Sequence, residues 1–494
     1  MLSTPRKALS WSFVRNVSSL GITAALGFLL AAILGPESFG IVAIAGIFVF
    51  FLQILGGNFF LPVIIQREVL TKGHQDTIFW VNVIWCLVMA IAAYLSSGIW
   101  ATINNTPEVA AVIVALSPLI LVRGFALMPT CLLMRTLNFK HLTYAVVISS
   151  AFGGIGGVYM GLNGYGVWSL VAQQWIDTVM MAGLVWYYCP YSLGFNVSWK
   201  YLRDVLPFAR GALLSDLGGF AQGRAEAVLI GIFFGPVLIA LYRICEKVVQ
   251  LVVSPFSGAI SSFILPYASQ HQNDTKKLTQ IADRCIRLNT GLSFPILGVL
   301  AGMSSIVLEV LGDEWRVAWL GLSLLCIIGA VQSYSLLTPH LLLAIGKPGV
   351  AAALMWGNAC TSVAALAAVA FFVQGDTPEY QLAALVGARV LVSLVVNVPA
   401  NFFLINWAVN ISPAYLLRIL FAPILSFVAG MGSGYFLLNS LIPETWELYA
   451  RFIVSAMGAG GIAIAVLFLL DNYVFRVFID FLKAMSNRFF AKRA

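Results

Sequence analysis

The sequence predicts an all-α polytopic membrane protein of about fourteen transmembrane helices, two six-helix lobes around a central cavity plus two extra helices. Three observations predict it. Hydrophobic residues make up 60% of the 494 and charged ones only 10%, with a mean hydropathy of +0.93, whereas a globular chain is about half apolar and a quarter charged. Apolar stretches of about 20 residues recur along the chain, each long enough to cross a ~30 Å hydrocarbon layer as a helix. Lysine and arginine gather in alternate short loops, as they do on the cytoplasmic side of a membrane.

The first span, near 10–33, follows MLSTPRK; it is longer than a signal-peptide core of about 7–15 residues and lacks a small-residue cleavage site, so it reads as a retained helix. Spans near 39–64 and 77–101 are divided by Arg67 and Lys72, those near 110–134 and 142–162 by Arg135 and Lys140, and those near 166–188 and 204–233 by Lys200 and Arg203. Lys276, Lys277 and Arg284 separate 237–266 from 285–311, and Lys347 separates 317–345 from 350–373. The intervening loops are acidic or neutral, with Glu37, Glu108, Asp313, Glu314, Asp376, Glu379, Glu444 and Glu447 against Arg316 and the span-edge Arg451. Spans near 381–406, 412–439 and 448–470 complete the set. An even number of spans puts both termini on the basic, cytoplasmic side.

The expected organisation is an N-terminal lobe at 1–188, a cytoplasmic linker at 189–203, a C-terminal lobe at 204–406, two further spans within 407–470, and a tail at 471–494. In the tail Arg476, Lys483, Arg488, Lys492 and Arg493 alternate with Phe478, Phe481, Phe489 and Phe490, a pattern suited to lying along the inner membrane surface. An internal repeat supports the two lobes: residues 33–66 and 233–270 each open on Gly-Pro and close on Leu-Pro before a basic loop. Parallel repeats of this kind build transporters with a cavity between halves.

Net charge is +8, but its lysines and arginines sit in short loops rather than on a solvated basic face, so nucleic acid is not an expected partner. Cys86, Cys131, Cys189, Cys245, Cys285, Cys326 and Cys360 are scattered through apolar runs, forming neither a disulfide framework nor a metal site. No GxxxxGK[ST] loop, HExxH motif or Ser-His-Asp pattern occurs. No cofactor and no metal are expected, and the chain does not read as an enzyme. The non-cytoplasmic loops are too short to hold a domain, which leaves function to the helical bundle.

The feature that does not fit an apolar bundle is its charge. Residues 210–247 form two membrane-length stretches holding Arg210, Asp216, Arg224, Glu226, Arg243, Glu246 and Lys247. Each such group costs roughly 2.5–3.5 kcal/mol at a bilayer centre on insertion scales, so intramembrane charges line polar cavities or pathways. If Gly235 and Pro236 make a tight turn, Arg224 and Glu246 stand about eleven residues from it, and Glu226 and Arg243 about nine and eight, all roughly 12–17 Å deep. Arg224 with Glu246 and Glu226 with Arg243 are then the available cross-helix pairs. Arg210 lies two heptads below Arg224 on the same face. With Arg15, Arg123, Arg389 and Asp177 from other spans, seven cations face four carboxylates. The surplus calls for an anionic ligand, for which a guanidinium is well shaped when that anion is phosphate. Asp177, Asp216, Glu226 and Glu246 either hold the cations in place or exchange a proton during coupling.

The strings TIFWVNV (77–83), MRTLNFKHL (134–142), GYGVWSLVAQQ (164–174), GRAEAVLIGIFFG (223–235), LYRICEK (241–247), GDEW (312–315) and LLLAIGKP (341–348) resemble those of Wzx-type polysaccharide flippases. These belong to the multidrug/oligosaccharidyl-lipid/polysaccharide exporter superfamily, in the branch of colanic-acid and teichuronic-acid exporters. The similarity runs from the first span to about the tenth. It implies a fourteen-helix exporter of the bacterial inner membrane that moves undecaprenyl-diphosphate-linked oligosaccharide repeat units for exopolysaccharide synthesis by alternating access. Arg224 falls where the family commonly has arginine and Lys247 where it has a basic residue, while Glu226 stands one position before the family's usual aspartate. The anion-binding candidates are the intramembrane cations themselves, Arg224, Arg210, Lys247, Arg123, Arg243, Arg15 and Arg389, of which the resemblance adds weight to Arg224 and Lys247; as partners it implies a lipid-linked oligosaccharide, membrane lipids, and a polysaccharide polymerase with its export machinery. Two alternatives stand beside it. A multidrug exporter on the same fold would favour an acidic cavity for cationic drugs. A membrane polymerase or glycosyltransferase would need acidic catalytic groups in a larger external loop.

Overall fold

A computed structural model of the chain describes residues 5–471 except 59, 62–63, 65–69, 137, 190, 270–273, 346 and 444–445, with side chains described from Gly21 onward save those of 57–58, 208, 215, 219, 222, 258–269, 275, 344 and 348. Arg15 therefore lies in a described helix but outside the described side chains, and the basic, aromatic tail lies outside the described residues.

Among the described residues every regular element is a helix, and no strand occurs. Eleven described stretches are long and apolar enough to cross a membrane. Two of these, Gly21–Gly56 and Gly223–Ser257, each carry a pair of expected spans, because the helices Pro5–Gln53 and Trp199–Ser269 bend at Gly35 and Gly235. Val167–Tyr188, 22 residues long, is the expected sixth span. The chain is a multi-pass membrane protein of the predicted all-α class.

The two Gly-Pro positions of the internal repeat share one backbone conformation. Gly35 has φ 72° and ψ 174°, and Gly235 has φ 79° and ψ −167°. A side chain is excluded from this region of φ/ψ space, so only glycine sits there without strain of about 1–3 kcal/mol. Each proline that follows has a fixed φ suited to restarting a helix. Gly35→Ala and Gly235→Ala should each lower the thermal unfolding temperature in detergent, while Gly21→Ala, whose added Cβ meets nothing within 4 Å, should not. Equal behaviour of the three variants would refute a strained turn at these glycines.

Contacts divide the chain into two compact units, Met1–Arg243 and Ile244–Ala494. In the first, the helix Phe139–Leu162 packs on Val167–Tyr188 through glycines: a Cβ on Gly153 would come within 2.9 Å of the Asp177 Cβ and the Gln173 carbonyl, and one on Gly157 within 2.9 Å of the Gln173 Cβ. Small residues are what allow helices to approach where lipid gives no hydrophobic drive. Gly40 lets the backbone at Pro236 come equally close, so the turns of the two repeats meet within this unit.

In the second unit the helix Thr275–Gly302 is central, packed against Pro413–Phe436, Trp319–Ser335 and Leu448–Leu470. Its apolar core includes Leu278, Ile286, Tyr334, Leu341, Ile405 and Leu416. At one end Arg287 binds Asp283 at 3.1 Å and Asp471 at 2.7 Å, which fastens the end of the last described span to the central helix. All seven cysteines are free; six are buried and Cys360 is exposed.

Candidate functional site

The first unit contains a cavity of about 320 Å³ lined by three of the predicted arginines, Arg123, Arg224 and Arg243. One wall is a single helical stripe. Phe39, Val42, Ala43, Gly46, Ile47, Val49, Phe50 and Gln53 recur at three- and four-residue spacing on the helix that restarts after Gly35, so all turn to the same side. Gly46 lies mid-stripe with nothing within 4 Å of a Cβ built on it, and it keeps the wall open there. Leu170, Gln173 and Gln174 supply the next wall with the same spacing on Val167–Tyr188. Arg224 and Arg243 enter from opposite sides of the Gly235 bend, and Arg123 from Pro118–Arg135.

Neighbouring side chains position the cations. Arg123 donates through Nη1 to Gln53 Oε1 at 2.6 Å and through Nη2 to Thr178 Oγ1 at 3.4 Å. Thr178 is buried and adjoins Asp177, whose carboxylate acts electrostatically on Arg123 and accepts from Ser150 Oγ at 3.4 Å. The Arg224 guanidinium stacks 4.6 Å over the Phe50 ring, and Phe50 is braced by Phe220 at 6.3 Å. A stacked guanidinium still donates in its own plane, so this contact is compatible with holding an anion.

Glu226 is buried and accepts from Tyr242 Oη at 2.7 Å across the Gly235 bend. The structure thus sets Arg224 and Arg243 on the cavity wall and directs Glu226 to the tyrosine next to Arg243. Among the described residues no carboxylate lines this cavity. Its polar complement is three guanidiniums and three carboxamides, a donor-rich surface set against aromatic and aliphatic walls. Such a surface accommodates an anion together with hydroxyl groups.

Among the described side chains, the other candidates do not line this cavity. Arg210 is exposed on the same helix as Arg224, fourteen residues and about 21 Å away along the axis, and Asp216 is half-buried between them. Glu246, Lys247 and Arg389 belong to the second unit, each half-buried. Sequence reasoning missed Gln53, Gln173, Gln174 and Phe50. The signal available for the two adjacent glutamines was their position inside a span, within GYGVWSLVAQQ. No group of three or more His, Cys, Asp or Glu residues able to hold a metal occurs among the described residues.

Comparison with known proteins agrees with this architecture. A family model described as "Polysaccharide biosynthesis protein" matches residues 29–319. The succinoglycan biosynthesis transport protein ExoT of Rhizobium meliloti is 26% identical over 372 residues, covering 74% of each chain. The teichuronic acid biosynthesis protein TuaB of Bacillus subtilis is 22% identical over 428 residues, covering 85% of each. Among solved structures, the lipid II flippase MurJ in an inward closed conformation superposes with a TM-score of 0.70 at 13% identity, over 93% of this chain and 99% of that one. At that identity the likeness shows the shared fold.

Proposed function

This chain belongs to the polysaccharide biosynthesis protein family, and from that premise we propose that it is a flippase for an oligosaccharide carried on undecaprenyl diphosphate, in the inner membrane of a bacterium. The observation that carries the reading is the convergence of Arg123, Arg224 and Arg243 on one cavity among membrane-spanning helices. Three cations among membrane-spanning helices cost several kcal/mol to hold, and a diphosphate head group offsets that cost by accepting charge-assisted, bidentate hydrogen bonds. Gln53, Gln173 and Gln174 then face the hydroxyls of the adjoining sugar, with Phe39 and Phe50 against its apolar faces. The cavity lies at the lower end of ligand-site volumes, about 300–1,000 Å³, so it grips the head group while the polyprenyl chain stays in lipid.

Alternating access moves that head group between leaflets. Arg210, on the cytoplasmic side of Arg224, extends the positive path, and Lys247, Arg389 and Arg15 are further candidates for binding the anion. Glu226, Glu246, Asp216 and Asp177 hold cations or exchange a proton when substrate is released. Both termini face the cytoplasm, and a polysaccharide polymerase and export machinery, which take up the head group after it has crossed, are the downstream partners. ExoT is a transport protein by name, in keeping with translocation rather than catalysis. A cationic drug would meet three guanidiniums in this cavity, which disfavours the multidrug reading.

Deleting the gene should abolish the surface polysaccharide, cause its lipid-linked repeat unit to accumulate in the inner leaflet, and leave drug resistance unchanged. Wild-type polysaccharide in the deletion strain would sink the proposal, and lost resistance with intact polysaccharide would establish the multidrug alternative.

A further inference from the structure

Residues 191–198 connect the helices Val167–Tyr188 and Trp199–Ser269 without helical structure of their own, yet their backbone is held firmly. Trp80 Nε1 donates to the Gly194 carbonyl at 2.9 Å, Thr77 Oγ1 donates to the Asn196 carbonyl at 3.2 Å, and Ser198 N–H donates back to Thr77 Oγ1 at 3.1 Å. Lys72 donates to the Ser192 carbonyl and pairs with the fully buried Asp76 at 3.1 Å. Tyr191 donates to the same carboxylate at 3.1 Å. Burial, then the Asp76 charge, hold the Tyr191 phenol above its ordinary pKa, so it stays protonated as that donor. Gly194 packs so closely on Asp76 that a Cβ there would overlap the carboxylate.

The segment is therefore an anchored ribbon. Its outer edge is apolar: Leu193 is 51% exposed, Phe195 80%, Val197 53% and, at the start of the next helix, Trp199 70%. Lys200 and Arg203 follow, both exposed, with Asp204 turned to His74 at 3.2 Å. Water is an unfavourable neighbour for four aligned hydrophobic side chains on a rigid support. The ribbon's level along the helix it clasps identifies a better one. Lys72–Ile103 has 32 residues, about 48 Å of helix against a ~30 Å hydrocarbon layer, so about 9 Å projects at each end when it is centred. Thr77 and Trp80 lie about 8 and 12 Å from its start by the same rise. The ribbon is thus level with the boundary between head groups and acyl chains.

We infer that residues 192–203 form an interfacial site for anionic phospholipid, with Leu193, Phe195, Val197 and Trp199 inserted among acyl chains and Lys200 and Arg203 on the phosphates. Aromatic residues and snorkelling cations at that level have the same preference in spanning helices. The site is separate from the arginine cavity and does not depend on the transport reading. Its effect is to fix the cytoplasmic end of the first unit to the inner leaflet, where an untethered linker would leave it loose.

The test uses the full chain with Cys360→Ser, the other cysteines being buried, and Val197→Cys carrying an environment-sensitive fluorophore, in vesicles of phosphatidylcholine with or without phosphatidylglycerol. Lipids brominated high on the acyl chain should quench the label at least twofold more than aqueous iodide does. Adding phosphatidylglycerol should increase that quenching, and Lys200→Glu with Arg203→Glu should remove the increase. The same label on Lys277→Cys, 58% exposed at its side chain in the first turn of Thr275–Gly302, sets the scale for a water-facing site. Stronger iodide quenching at Val197 would overturn the inference and leave a protein partner as the cover for this edge. Equal quenching with and without phosphatidylglycerol would overturn the anionic specificity.

Discussion

Arg224→Ala should lower polysaccharide export at least tenfold at unchanged protein abundance, and Arg123→Ala should act similarly. A hydrogen bond between charged groups is worth about 1.5–3 kcal/mol, which corresponds to roughly ten- to hundredfold in binding. The two losses have different routes. Removing Arg224 takes away the guanidinium stacked on Phe50, whereas removing Arg123 also releases Gln53 and Thr178, which it holds from two helices. Arg224→Lys keeps the charge but not the planar fork or the stack, so it should fall between wild type and alanine. Arg210→Ala, outside the cavity wall, should cost less than either. Export at wild-type level in both alanine variants would remove the cavity from the mechanism. A deficit in Arg210→Ala as large as theirs would move the decisive contact toward the cytoplasm.

The parts of this site that were legible in the sequence were those that violate the bilayer's chemistry. A guanidinium in an apolar run is conspicuous, so Arg123, Arg224 and Arg243 could be singled out before any geometry was available. Gly235 was legible for a similar reason, since Gly-Pro between two spans has few uses besides a turn. Neutral polar groups carry no such mark. Gln53 closes an ordinary apolar helix, and Phe50 is one of 34 phenylalanines. Nothing in their spacing says that they face a cation. Tyr242, which donates to Glu226 at 2.7 Å, was equally unmarked: a tyrosine inside an apolar span gives no sign that its hydroxyl meets a carboxylate. The anchored ribbon at 191–198 was invisible as well, because a short stretch between two spans with Ser, Gly and Asn among its apolar residues reads as a flexible connection until its long-range hydrogen bonds are known.

The largest loss of stability should come from Gly298→Val and Gly302→Val. These glycines stand four apart on the central helix of the second unit and meet Pro413–Phe436 backbone to backbone: a Cβ on Gly298 would overlap the Phe427 carbonyl, and one on Gly302 the Met431 carbonyl. Gly430 and Gly434 answer from the facing helix, where a Cβ would lie 3.0 Å from the Val299 nitrogen and 3.3 Å from the Gly302 carbonyl carbon. Contact at this range replaces the hydrophobic drive that lipid cannot supply between helices. The obstacle to a side chain is backbone, which has no rotamer to change, so the helices must separate along the seam. Overpacking of this kind costs about 1–3 kcal/mol, occasionally more, and two such sites on one seam should leave little folded protein. Gly432, on the same facing helix with nothing within 4 Å of its Cβ position, is the matched control. Detergent-solubilised Gly298→Val and Gly302→Val should unfold well below wild type in a thermal aggregation assay, and Gly432→Val should match wild type. If all three unfold together, helix propensity rather than close approach sets the effect, and the glycine seam is not what holds this unit.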